Sequence, residues 1–92
     1  MTITDALGRE WKVYDFQVLA GKSIRMPLGR GQYRGFSPVD GGARRTLLMF
    51  EKERARPITR ETLLDQLARS KIFYRDDPNH ITGMPPERVD PK

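Results

Sequence analysis

Cysteine is absent from this 92-residue chain, which excludes disulfides, thiolate nucleophiles, iron-sulfur clusters and cysteine-built zinc sites. Histidine occurs once, as His80, so a nucleophile, a base and a group to orient the base cannot be assembled around imidazole in more than one way. Ser23, Ser37 and Ser70 have no elbow motif around them. No apolar run approaches the ~20 residues a membrane-spanning helix requires, and Met1 to Arg9 hold no basic stretch followed by an apolar one. These gaps predict a cytoplasmic protein with no membrane partner, no metal, no cofactor, no catalytic residue and no evident small-molecule substrate.

Lysine and arginine total 17 against 12 acids, a net charge of +5 that favours polyanions or acidic partners. The excess is local. Gly21 to Arg60 carries ten basic residues against Asp40, Glu51 and Glu53, a balance of +7. Twelve of the basic residues are arginine, whose planar fork suits phosphate or carboxylate recognition. The same bias also arises from a G+C-rich coding sequence, and most such side chains form solvated surface.

The sequence predicts one domain over residues 1–74 and a Pro-rich extended or mobile tail over 75–92. Thr2 to Thr4 predicts a short strand, and Asp5 and Gly8 a turn. Glu10 to Leu19 predicts a long strand rich in aromatic and β-branched residues. Ala20 to Gly31 reads as a mobile connection with a short strand over Ser23 to Met26. A hairpin turning at Asp40-Gly41-Gly42 joins strands over Gln32 to Val39 and Ala43 to Glu51. Thr59 predicts a helix N-cap, with Ile58 and Leu63 as its staple; Leu63, Leu64, Leu67 and Ala68 form the apolar stripe of a helix ending by about Tyr74.

Together these elements predict an α+β domain: a small antiparallel meander of three or four strands, flat or curled into an open barrel, with one C-terminal helix. A three-residue turn sets Tyr33 opposite Met49 and leaves large apolar groups on both sheet faces, one more face than a single helix covers. The exposed face then serves as an interface for a homodimer or a protein partner, with Trp11, Tyr33 and Met49 as anchors.

The alternative function is nucleic-acid binding. Arg30, Arg34, Arg44, Arg45, Arg54 and Arg56 interleave with Tyr33, Phe36 and Phe50, so arginines neutralise phosphates while rings stack on bases. Gly29-Arg30-Gly31 lacks the Gly-Lys-Ser/Thr ending and the following helix of a phosphate loop. Asp76, Asp77 and His80 lie on the Pro-rich tail, which offers no rigid frame for a metal.

Overall fold

Asp5 turns the chain between β1 (Thr2–Thr4) and β2 (Glu10–Leu19): its Oδ1 accepts from the backbone N–H groups of Leu7 and Arg9, each at 2.9 Å. In this computed structural model, which describes residues 1–72, β2 then organises the whole sheet. It reverses at Ala20-Gly21, where both residues take positive φ (53° and 78°), into β3 (Lys22–Met26). Two left-handed residues make a turn whose twist agrees with that of the flanking strands. The stretch expected to be a mobile loop therefore begins as a tight hairpin.

The remaining elements are β4 (Tyr33–Pro38), β5 (Arg45–Leu48), the single-turn helix α1 (Glu51–Arg54), α2 (Arg60–Arg69) and β6 (Lys71–Ile72). All pairings are antiparallel, in the order β1-β2-β4-β5-β6, with β3 also on β2. Residues Trp11 to Phe16 of β2 pair with β4, so β1 (on Glu10–Lys12) and β3 (on Asp15–Leu19) share the other edge of β2. The fold is thus α+β with an open sheet, richer by two or more strands and one short helix than the sequence predicts.

Register is the main correction. Tyr33 pairs with Leu48 and Phe36 with Arg45, one residue away from the alignment of Tyr33 with Met49. The β4–β5 connection is longer than three residues, because Val39 leaves the hairpin to donate to the Glu10 carbonyl (2.9 Å) and Gly41 donates to Pro38 (3.2 Å). A slip of one residue exchanges faces, so Phe36 and Leu47 go to the helix side while Tyr33 and Leu48 go to the other. The expected return strand also stops at Leu48, and Glu51 lies on α1 rather than on a strand.

Thr59 caps α2 as predicted, its Oγ1 accepting from the Thr62 N–H at 3.2 Å. Leu63 and Leu67 bury against Ile3, Trp11, Val13 and Phe36, with Leu28, Leu47 and Leu64 packed around them. Full burial of a side chain such as Phe36 contributes roughly 1.5–3 kcal/mol. The helix stops at Arg69, short of Tyr74, because Ser70 is extended (ψ 163°) and starts the run into β6. The position of Tyr74, the tail over 75–92 and the Asp76, Asp77 and His80 group lie outside the described residues. Among the described residues, no helix is long and apolar enough to cross a membrane.

Candidate functional site

Alternation along paired strands divides the sheet into two faces. Trp11, Val13, Asp15, Arg34, Phe36 and Leu47 share the face that α2 packs; Lys12, Tyr14, Phe16, Arg25, Tyr33 and Leu48 share the outer one. Tyr14 is the centre of the outer face. It pairs with Gly35, and its ring takes the space a side chain there would need, since a Cβ on Gly35 would lie 2.3 Å from Tyr14 Cε2. This explains a glycine within a strand. The Tyr14 hydroxyl is 3.1 Å from Ser37 Oγ, and the Arg25 guanidinium sits 4.4 Å from the ring centroid. Phe16 continues the row, 6.0 Å from Tyr14 and stacked on Tyr33 at 5.3 Å.

Exposure decides which of these residues a partner can reach. Lys12 and Arg25 are exposed and Tyr14, Ser37 and Leu48 are half-buried, whereas Phe16 and Tyr33 are buried. By the same alternation Lys71, opposite Thr46, joins the outer face, and Glu10 is the acid on β2 there. The face is net cationic and centred on a tyrosine.

The three anchors expected from sequence are interior. Trp11, Tyr33 and Met49 are 6%, 6% and 1% exposed, and only Tyr33 is on the outer face. Trp11 joins the helix-side core, and its indole N–H donates to Asp5 Oδ2 at 3.0 Å. That bond, with the N–H groups of Arg9 and Leu7, holds the Asp5 carboxyl below the usual range. Met49 lies beyond β5, its N–H donating to Gln32 at 2.8 Å. Side chains buried to this degree within one chain offer little contact area to another.

The six arginines do not form one patch. Arg34 is 1% exposed and pairs with Asp15. Arg45 Nε donates to Ser70 Oγ at 2.9 Å and its Nη2 to the Ser70 carbonyl, fastening the end of α2 to the sheet. Arg54 donates to the Met49 carbonyl, and Arg56 pairs with Glu53 and Asp65 at 2.9 and 2.8 Å. Arg30 is exposed beside the buried Gly31, and Arg44 is half-buried. Sequence proximity grouped these cations; strand alternation and helix packing separate them.

No protein-family model, curated protein or solved structure matches the chain. The reading of the site therefore rests on its own geometry. Sequence reasoning missed Tyr14 and Arg25 as a unit. The available signal was the two-residue turn at Ala20-Gly21, which fixes the sum of paired positions and brings Arg25 onto the face of β2 that carries Tyr14 and Phe16.

Proposed function

We propose that the protein is a small non-enzymatic binding module that docks an acidic protein partner on the sheet face opposite α2. The observation that carries this reading is the Arg25–Tyr14 pair, an exposed guanidinium held over a half-buried ring. Arginine and tyrosine are the residue types that most often dominate binding energy at interfaces. Here the ring is already immobilised between Gly35, Ser37 and Arg25, so little side-chain freedom remains to be lost on association. Lys12 and Lys71 add positive charge on the same face, which steers an acidic surface toward it. Two copies meeting through this face bring like charges together, which favours a different chain over self-association.

A photo-crosslinking amino acid in place of Lys12, in the full chain expressed in its own cells, tests the reading. The expected result is a discrete protein adduct that Arg25→Glu abolishes, absent when the crosslinker replaces the exposed Glu61 on α2. Light scattering should give a monomer throughout a concentration series. The nucleic-acid reading draws on the same pair, since Arg25 beside Tyr14 offers a phosphate contact and a stacking surface. Adducts with RNA or DNA, with oligonucleotide affinity falling steeply between 50 and 200 mM salt, would replace the protein-docking reading.

A further inference from the structure

On the opposite side of the sheet, a cleft of about 510 Å³ opens between the β1–β2 turn and the C-terminal half of α2. Its size falls within the range of ligand-binding clefts, about 300–1,000 Å³. Trp11, Leu64 and Leu67 supply apolar lining, and Arg9 and Arg45 supply charge. We propose that this cleft docks a peptide segment of a partner protein that places an apolar side chain next to a carboxylate.

The cations of the cleft are held in place before any ligand arrives. Arg9 lies 4.9 Å from the Trp11 ring, donates to the Gly41 carbonyl at 3.0 Å, and faces Asp40 at 3.4 Å. Arg45 is fixed through Nε and Nη2 to Ser70, and pairs with no carboxylate among the described residues. The cleft holds one acid, Asp5, whose Oδ2 receives the Trp11 indole N–H and whose Oδ1 receives two backbone N–H groups; against it Arg9 and Arg45 leave an excess of one positive charge among the lining residues. An apolar lining flanked by two guanidiniums, one facing Asp40 and one without a carboxylate partner among the described residues, is complementary to an apolar group beside a negative charge.

Leu7 distinguishes a peptide from a small molecule. It lies at the cleft on the β1–β2 turn and is 94% exposed, so it contributes almost nothing to packing within the chain. A molecule confined to the cleft covers only the flank of Leu7 that lines it and leaves the rest of this exposed side chain in water. A peptide that continues across the turn covers it, and covering an exposed leucine adds apolar burial to the charge complementarity.

The test is a display library of random eight-residue peptides selected against the full chain, with the double variant Leu7→Ser/Ala68→Glu as counter-selection. Both positions are exposed, so the variant is expected to keep the circular dichroism of the parent. Trp11 is the sole tryptophan and reports on the cleft directly. Enriched peptides should carry Leu, Ile, Met or Phe beside Asp or Glu and shift Trp11 emission saturably with a Kd below ~1 mM. The double variant should weaken them about fivefold or more, whereas Lys12→Glu/Arg25→Glu, on the other face, should leave them unchanged. The proposal is overturned by no enrichment over the counter-selection, by enrichment of basic peptides, or by loss of binding in the Lys12/Arg25 variant. It is equally overturned if decanoate saturates the Trp11 signal and no selected peptide does.

Discussion

Asp15 on β2 and Arg34 on β4 face each other across the centre of the sheet as a buried ion pair, Oδ1 to Nε at 2.7 Å and Oδ2 to Nη2 at 3.2 Å. Asp15 Oδ2 also accepts the backbone N–H groups of Gly29 (2.6 Å) and Gly31 (3.1 Å), while Arg34 Nη1 donates to Gln66 Oε1 at 2.8 Å. The pair thus joins the β3–β4 connection, the sheet and α2. Breaking a buried pair leaves an uncompensated charge in low dielectric, which costs about 3–5 kcal/mol. Asp15→Ala and Arg34→Ala should each lower the unfolding free energy from urea titration by that amount. Asp15→Leu/Arg34→Met should lose much less than the sum of the single changes, and strict additivity would argue against coupling.

Gly31 approaches β2 too closely for a side chain: a Cβ would meet Asp15 Cβ at 2.5 Å and the Phe16 nitrogen at 2.7 Å. Gly31→Ala must displace the loop from Asp15, so a loss of roughly 2–3 kcal/mol is expected in chemical denaturation. Gly8 supplies the contrast, because it has a φ of +85° and open space around a Cβ. Gly8→Ala should cost only about 1 kcal/mol, from the left-handed backbone. Equal losses at the two sites would contradict this ordering.

Thr46 is 2% exposed, and its Oγ1 has no hydrogen-bond partner among the described residues. Replacing the hydroxyl with a methyl removes an unsatisfied buried group while keeping the β-branched shape, so Thr46→Val should raise stability by about 1 kcal/mol. A decrease in thermal midpoint would show that the hydroxyl is satisfied.

Acid should weaken the contact between α1 and α2. Burial alone would raise the Glu53 carboxyl, but hydrogen bonds from Arg69, Gln66 and Arg56 outweigh it and hold the group below its ordinary value. Asp65 is lowered by Arg56 and Arg69. A carboxylate with a folded-state pKa below its unfolded one stabilises the fold above the unfolded value, and that contribution is lost as pH falls through the folded one. Stability should therefore decline from about pH 5 downward. Glu53→Gln/Asp65→Asn should show a shallower decline in urea titrations between pH 6 and 3, and an unchanged slope would assign the acid sensitivity elsewhere.

What was legible in sequence is what neighbours in sequence determine. The Thr59 cap, the Leu63 and Leu67 stripe and the span of β2 follow from residues within one or two turns or from strand alternation itself. The face assignments of Tyr33 and Phe36 were not legible, since they depend on the Val39 and Gly41 hydrogen bonds that replace a three-residue turn and set Tyr33 against a partner one residue nearer in sequence. Arg34 and Arg45 read as surface because arginine usually is. The partners that draw them inward, Asp15 and Ser70, lie 19 and 25 residues away in the chain. The Arg25–Tyr14 pair was hidden for a related reason, because the Ala20-Gly21 reversal looked like the start of a flexible loop.

The guanidinium of Arg60, in the first turn of α2, donates to the Thr4 carbonyl at 2.9 Å, and Ile3 shares its core with Leu63 and Leu67. Ile3 on β1 is therefore covered only once α2 is in place. A nascent chain halted at Pro57 already contains β1 to β5, yet leaves Ile3, Trp11 and Val13 wet. The helix-side core is accordingly complete only when both ends of the described chain are present together.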